Sequence, residues 1–156
     1  MKVKILMVCL GNICRSPLAE GILKSKLDSR FYNVASCGTS SYHIGSKPDQ
    51  RSIDIARQHD IDITDQRAAQ FKISDFTTYD HIYTMDSSNY QNIINLASND
   101  HEKSKVKRIL NESHPNNDLD VPDPYYGGDQ GFEEVFQMLN EACDNIARKL
   151  EDLNHL

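Results

Sequence analysis

Residues 3–17 read Val-Lys-Ile-Leu-Met-Val-Cys-Leu-Gly-Asn-Ile-Cys-Arg-Ser-Pro, and this stretch decides the fold. Its continuous apolar run, residues 5–9, is short, which is typical of a strand buried on both faces in a parallel sheet. Ser16 as the N-cap and Pro17 at the first helical position predict a helix directly afterwards. A strand, a glycine-containing loop and a helix therefore follow one another without interruption.

The rest of the chain alternates strands and helices in the same way. Further strands are predicted over residues 33–37, 80–85 and 106–110, and helices over residues 49–59 and 86–97. An apolar stripe with a period of 3.6 residues predicts a long C-terminal helix, and its members are Phe132, Val135, Phe136, Leu139, Cys143, Ile146, Leu150 and Leu153. The alternation predicts an α/β fold with a parallel sheet and helices on both faces, in a single domain spanning residues 1–156.

Composition excludes several classes of protein. The 156 residues carry 38% hydrophobic and 26% charged side chains, which excludes a disordered chain, and the net charge of −6 disfavours a nucleic-acid binder. No stretch approaches the roughly 20 apolar residues that cross a membrane. The four cysteines are too sparse for a secreted disulfide scaffold in a chain of this length, so we expect a cytoplasmic protein with reduced thiols.

The loop after the first strand brings a thiol and a guanidinium together. Cys9 ends the strand and Arg15 opens the helix, with five residues between them. Successive backbone N–H groups of such a loop, together with the helix N-terminus, form a site for a tetrahedral dianion and favour the thiolate form of Cys9. Arg15 adds a planar fork for two phosphoryl oxygens. A nucleophile within a phosphate cradle points to phosphoryl transfer to sulfur; the alternative is a buried cysteine beside a surface arginine.

Departure of an alkoxide or phenolate needs a proton donor on the other side of the phosphoryl group. Asp123 is the candidate, because Pro122 and Pro124 fix the backbone around it in the long loop predicted over residues 111–131. On chemistry alone two other interpretations stay open. The motif could be an ordinary turn, and neighbouring acids could take the role, namely Asp118, Asp120 and Asp129.

These motifs together resemble the low-molecular-weight protein tyrosine phosphatases. The resemblance rests on residues 8–17 and on the downstream Asp-Pro-Tyr-Tyr-Gly of residues 123–127, and it extends over essentially the whole chain. It implies a four-stranded parallel sheet with helices on both sides. It also implies hydrolysis of phosphotyrosine and small aryl phosphates through a phosphocysteine, with Cys9 as nucleophile, Arg15 as phosphate and transition-state ligand, and Asp123 as acid and then base.

The resemblance implies roles for the surrounding residues as well. Ser16 would donate to the Cys9 thiolate, and Asn12 would hold the loop through a network that includes Ser36. The remaining loop residues would bind phosphate or support the loop, namely Leu10, Gly11, Ile13 and Cys14. Three tyrosines would join Leu10 and Ile13 as walls of an aromatic pocket, namely Tyr42, Tyr125 and Tyr126.

Cys14 would form a reversible disulfide with Cys9 and protect it from over-oxidation; the alternative is that Cys14 only fills space. Cys37 and Cys143 fit packing roles, and His43 is interpreted as a solvated or packing histidine. The sequence departs from the family in one segment, where Gln66 stands at the usual histidine position and Ala69 at a usual arginine position. Gln66 can still donate a hydrogen bond to the loop but carries no charge.

Other functions are weaker matches. A thioredoxin-linked arsenate reductase needs relay cysteines that are absent between Cys37 and Cys143. Protein arginine phosphatases resemble this chain but tend to carry threonine where it has Ile13, and a pure phosphopeptide-binding module would need neither thiolate nor acid. Zinc and calcium ligand spacings are missing. We therefore expect no metal or cofactor, a tyrosine-phosphorylated protein or peptide as substrate, inorganic phosphate as product, and no nucleic-acid or membrane partner.

Overall fold

Four parallel strands form one sheet at the centre of the protein. The computed structural model describes residues 2–124 and 128–154, without the side chains of 128–130 and 154. The strands are β1 (Val3–Cys9), β2 (Tyr32–Gly38), β3 (His81–Thr84) and β4 (Val106–Arg108), in the spatial order β2-β1-β3-β4. Every neighbouring pair is parallel, which confirms the predicted fold class.

Helices cover both faces of this sheet. They are α1 (Arg15–Lys26), α2 (Gln50–Gln58), α3 (Asp75–Thr78), α4 (Ser87–Leu96), α5 (Asp100–Ser104) and α6 (Gly128–Asn154), with a 3₁₀ helix at Ile109–Glu112 after β4. Alternation along β1 separates two apolar clusters. Ile5 and Met7 join the cluster with α1, α2 and α6, whereas Leu6 and Val8 join the cluster with α3 and α4. The first strand is therefore buried on both sides, as the apolar run predicts.

The sequence predictions need three corrections. Ser16 does not cap α1, because the helix begins at Arg15 with Cys14 as N-cap and without a side-chain cap. The fourth strand ends at Arg108, since the following residues turn into the 3₁₀ helix. The short helices α3 and α5 were not predicted, because each spans only four or five residues and shows no period.

The strand order fixes where a ligand can approach. In the sheet, β2 lies on one side of β1, and β3 and β4 lie on the other. The connections that follow β1 and β3 therefore lead in opposite directions from the point between these two strands. In open α/β sheets, ligands bind outside the carboxyl ends of the strands at such a point. The loops after Cys9 and Thr84 meet there. Within the described ranges, no helix is long and apolar enough to span a membrane.

Candidate active site

A cleft of about 290 Å³ opens at the carboxyl end of β1. It brings together the thiol, the guanidinium and the acid that the sequence singles out, although they come from two segments more than 100 residues apart. Its lining residues are Cys9, Leu10, Gly11, Ile13, Cys14, Arg15, Tyr42, His43 and Asp123.

Cys9 sits at the bottom of the loop and is 3% exposed. Its Sγ lies 3.0 Å from Ser16 Oγ and accepts a hydrogen bond from the backbone N–H of Asn12 at 3.3 Å. The backbone N–H of Asn12 donates to the sulfur, whereas in the contact with Ser16 either atom can be the donor. The Ser16 hydroxyl, which was predicted to cap the helix, therefore contacts the Cys9 sulfur instead.

Asn12 shapes the loop from inside. Its backbone has a positive φ of 58°, a left-handed conformation that asparagine tolerates better than most residues. Its side-chain amide donates to Ser16 Oγ at 2.8 Å and to Ser36 Oγ at 3.0 Å, and its Oδ1 accepts from the backbone N–H of Ala69 at 3.0 Å. The expected contact with Ser36 is present, so three separate segments hold the loop through one buried side chain.

Two residues behind the loop were missed from the sequence. Glu20 is 6% exposed, accepts a hydrogen bond from Ser36 Oγ at 2.7 Å and pairs with Lys24 at 2.6 Å, which extends the Asn12 network to the surface. A Cβ atom at Gly38 would come within 2.6 Å of the Leu10 carbonyl oxygen, so only glycine lets the loop lie this close to β2. Neither feature has a local sequence signal.

Arg15 is buried against the other side of the cleft, with 3% of its side chain exposed. Its Nη1 donates to Asp86 Oδ2 at 2.6 Å and to the Val121 carbonyl at 3.0 Å. Burial disfavours the cation, but the negative charges at Cys9 and Asp86, with a smaller contribution from Asp123, outweigh it and raise the pKa of Arg15 above its ordinary value. Arg15 is thus a fixed, permanently charged group at the cleft.

Asp86 has two roles in the structure. It caps α4, with Oδ1 accepting from the backbone N–H of Asn89 at 2.8 Å in a capping box. Its other carboxylate oxygen orients Arg15. The cap is visible as a local pattern, whereas the contact with Arg15 spans 71 residues and is not.

Asp123 is the acid that lines the cleft, with 40% of its side chain exposed and its Oδ2 3.8 Å from Arg15 Nη2. Asp118 exchanges hydrogen bonds with Asn111, and Asp120 binds Arg108 and Ser87, so both hold the loop in place. The side chain of Asp129 lies outside the described residues. Of the competing acids that can be placed, only Asp123 reaches the cleft.

The mouth of the cleft is lined by the segment after β2. Tyr42 is 84% exposed, so it forms a rim and not an enclosed wall, and Leu10 is also exposed. His43 lines the cleft as well and lies against Gly11, where an added Cβ would meet its ring at 2.9 Å. The interpretation of His43 as merely solvated or packing was therefore incomplete. The predicted pocket residues Tyr125 and Tyr126 lie outside the described residues.

All four cysteines are buried free thiols. Burial, followed by the charges of Asp49 and Cys9, raises the pKa of Cys14 to about 12, and burial raises that of Cys143 to about 12. Burial likewise raises the pKa of Cys37 well above its ordinary value. Cys37 and Cys143 belong to the two apolar clusters, in agreement with packing roles.

The side-chain amide of Gln66 bonds α1 and not the loop. Its Nε2 donates to the Pro17 carbonyl at 3.1 Å, and its Oε1 is buried without a hydrogen-bond partner. The expected bond to the loop is replaced by one to α1. The loop is instead supported from this segment by the backbone of Ala69, so the substitution at position 69 leaves that support intact.

Comparison with known proteins gives one consistent result. The family model for low molecular weight phosphotyrosine protein phosphatase matches residues 4–155. A putative low molecular weight protein-tyrosine-phosphatase from Synechocystis is 42% identical over 151 residues, covering 94% of this chain and 96% of that protein.

Solved structures agree with this match. A protein tyrosine phosphatase from Entamoeba histolytica superimposes with a TM-score of 0.91 at 35% identity, covering 98% of this chain and 99% of that one. An arginine phosphatase from Drosophila superimposes with a TM-score of 0.86 at 29% identity, covering 96% and 98%. The fold is therefore shared with enzymes that are named for two different phosphorylated residues.

Proposed function

Because the chain belongs to the low molecular weight phosphotyrosine protein phosphatase family, we propose that it hydrolyses phosphotyrosine in proteins or peptides, and small aryl phosphates, to inorganic phosphate. One observation carries this proposal. A buried Cys9 sulfur that accepts hydrogen bonds shares a single cleft with the fixed cation of Arg15 and the carboxyl group of Asp123. Nucleophile, phosphate ligand and acid are the three groups that transfer to sulfur requires.

In the first step the Cys9 thiolate attacks phosphorus. The S–P bond forms while the bond from phosphorus to the phenolic oxygen breaks, and Asp123 gives its proton to that oxygen. Arg15 and the loop N–H groups hold the phosphoryl oxygens as charge is redistributed. The free phenol leaves, and the phosphoryl group stays on sulfur as a phosphocysteine.

In the second step Asp123, now a carboxylate, takes a proton from an attacking water molecule. The new O–P bond forms, the S–P bond breaks, and the Cys9 thiolate is regenerated with inorganic phosphate as product. The hydrogen bonds from Asn12 and Ser16 favour the thiolate as a leaving group. No metal or cofactor takes part in either step.

The cleft walls favour an aromatic substrate. Leu10, Ile13 and Tyr42 present apolar or aromatic surface around the sulfur, which suits a phenyl ring. Ile13 offers no polar group to a guanidinium, which argues against phosphoarginine in spite of the likeness to an arginine phosphatase.

Cys14 is proposed as a redox guard of the nucleophile. Hydrogen peroxide converts the Cys9 thiolate to a sulfenic acid. The Cys14 thiolate attacks that sulfur, the S–O bond breaks as the disulfide forms, and the hydroxide that leaves takes up a proton from solvent to become water. A thiol reductant then restores both thiols. Both cysteines line the same cleft, which supports this assignment.

Turnover of p-nitrophenyl phosphate tests the proposal. We expect a burst of p-nitrophenol followed by slower steady turnover, unchanged by a chelator, and none in Cys9→Ser, which should still bind phosphate. A peptide panel carrying phosphotyrosine, phosphoarginine or phosphoserine should show a clear preference for phosphotyrosine. Turnover by Cys9→Ser would contradict the nucleophile, and preference for phosphoarginine would contradict the substrate.

A further inference from the structure

The segment that carries Asp123 has no regular structure of its own. Residues 113–123 form neither helix nor strand between the 3₁₀ helix and α6. The position of the acid therefore depends on individual hydrogen bonds along this segment. Asp118 exchanges two 2.9 Å bonds with Asn111, and the backbone N–H of Val121 donates to the Met85 carbonyl at 2.8 Å.

Asp120 makes the contacts that tie this segment to two neighbouring elements. Its Oδ1 accepts from Arg108 Nη2 at 2.7 Å and from the backbone N–H of Ser87 at 2.9 Å, and its Oδ2 lies 3.4 Å from Ser87 Oγ. Arg108 ends β4 and Ser87 begins α4. One carboxylate thus joins the loop to both a strand and a helix at the ligand-facing edge of the sheet.

Arg108 is itself held in place. Its side chain is only 16% exposed, and its guanidinium lies 5.8 Å from the ring centroid of Tyr90, a cation–π arrangement. Such a restrained arginine loses little further side-chain entropy when it binds a carboxylate. The pair is therefore a firm anchor and not a loose surface contact.

The distance between Asp123 and Arg15 shows what the ion pair between Asp120 and Arg108 controls. Arg15 Nη1 already binds the Val121 carbonyl at 3.0 Å, and Arg15 Nη2 lies 3.8 Å from Asp123 Oδ2, beyond hydrogen-bond distance. A small slide of the segment would let the carboxylate close onto the guanidinium. Asp123 would then face Arg15 instead of the leaving group.

We propose that Asp120, anchored by Arg108 and Ser87, is a positioning residue that keeps Asp123 facing the cleft and so sets how well poor leaving groups depart. This inference rests on the proposed function. It assigns a role to Asp120 that differs from that of a catalytic acid, because Asp120 does not line the cleft.

Leaving-group dependence tests the role directly. We expect Asp120→Ala to lower kcat/KM for phenyl phosphate about tenfold, which is part of the 10²–10⁴-fold rate increase that a general acid contributes. For p-nitrophenyl phosphate, the same variant should lower kcat/KM by less than about twofold. Arg108→Met should reproduce this pattern. Arg108→Lys keeps the charge, so its loss in kcat/KM should be smaller than that of Arg108→Met. Equal losses on both substrates, or no loss, would overturn the proposal.

A double-mutant cycle separates positioning from general damage. In an Asp123→Asn background, Asp120→Ala should cause no further loss with phenyl phosphate, because the group that it positions is already gone. Additive losses would contradict the proposal. Wild-type protein without phosphatase activity would instead refute the proposed function itself, so the two failures are distinguishable.

The matched control is Asp144→Asn. Asp144 pairs with Lys26 at 2.6 Å, and the exposed fractions of its ion pair, 49% and 22%, resemble the 49% and 16% of Asp120 and Arg108. It lies on α6 away from the cleft, so we expect the ratio of the two kcat/KM values to stay at the wild-type level. A changed ratio in this control would show that any lost ion pair produces the effect and would overturn the assignment.

Discussion

Asp86 Oδ2 lies 2.6 Å from Arg15 Nη1, while the other oxygen of the same carboxylate caps α4 through the backbone N–H of Asn89. A single side chain therefore fixes the start of a helix and the direction of the guanidinium. Because Arg15 is almost fully buried, its planar group cannot be reoriented by solvent. The orientation of the Arg15 guanidinium is therefore set by the junction between β3 and α4.

Asp86→Ala should lower the free energy of unfolding by about 3 kcal/mol, since a buried arginine loses its partner and α4 loses its cap. Asp86→Asn keeps an acceptor and a capping group and should cost about 1 kcal/mol. Urea denaturation measures both values. In Asp86→Ala, kcat/KM for p-nitrophenyl phosphate should also fall at least about tenfold, because Arg15 is misplaced.

Asn99→Ala provides the control for this prediction. Asn99 caps α5 through the backbone N–H of Glu102 at 2.8 Å, so its loss removes a cap without touching Arg15. Stability should fall by about 1 kcal/mol with unchanged turnover. If Asp86→Ala behaves in the same way as this variant, the contact with Arg15 has no catalytic consequence.

Gly38→Ala should damage the loop from outside the cleft. The added methyl group would meet the Leu10 carbonyl oxygen at 2.6 Å, which is backbone and cannot rotate away. We expect a loss of about 1–3 kcal/mol in stability and weaker competitive inhibition by inorganic phosphate. The control is Gly131→Ala in α6, where the added Cβ would lie 3.9 Å from Pro124 Cβ, so stability should stay equal or rise. Unchanged phosphate inhibition in Gly38→Ala would refute the close approach.

Ser36→Ala and Gln66→Leu should behave differently, although both residues lie behind the loop. Ser36→Ala removes an acceptor for Asn12 and the donor to buried Glu20, and we expect kcat to fall roughly tenfold. The side chain of Gln66 bonds α1 and leaves its Oε1 without a partner, so Gln66→Leu should keep kcat within about twofold. Steady-state kinetics decide the point, and a larger loss in Gln66→Leu than in Ser36→Ala would contradict the assigned network.

The raised pKa of Cys14 predicts how the proposed redox guard depends on pH. Since the attacking species is the thiolate and the pKa is about 12, its fraction rises about tenfold per pH unit through the neutral range. Formation of the disulfide between Cys9 and Cys14 after a pulse of peroxide should therefore accelerate from pH 6.5 to 8.5. Mass spectrometry after alkylation at timed intervals measures this rate, and a rate independent of pH would count against Cys14 as the attacking thiol.

Cys14→Ser is the matched variant for that experiment. It should turn over p-nitrophenyl phosphate normally before peroxide treatment and regain less activity afterwards on addition of a thiol reductant. Equal recovery in wild type and Cys14→Ser would show that Cys14 gives Cys9 no protection.

The sequence could predict those features that a local pattern encodes. The buried strand, the thiol at its end and Arg15 at the start of α1 all lie within 17 residues, and the prolines around Asp123 mark it as unusual. Ser16 was misassigned because its hydroxyl has two possible uses, and the nearby thiol takes precedence over the helix end.

Features created by tertiary contacts were missed for a physical reason. Glu20 reads as an ordinary helix acid, and it becomes part of the site only because β2 brings Ser36 against it. Asp120 reads as one acid among several until β4 places Arg108 beside it. Such roles depend on partners that are distant in the sequence, so no spacing or period reveals them.

The missing side-chain cap of α1 has a thermodynamic consequence. The helix begins at the loop with Cys14 as N-cap and without a side-chain acceptor for its first N–H groups. A bound tetrahedral anion would supply the acceptors, so ligand binding and the folding equilibrium are linked. Phosphate or sulfate in the buffer should then raise Tm with the logarithm of its concentration. The phosphoryl group of a substrate would complete the hydrogen bonding at the start of α1 in the same way.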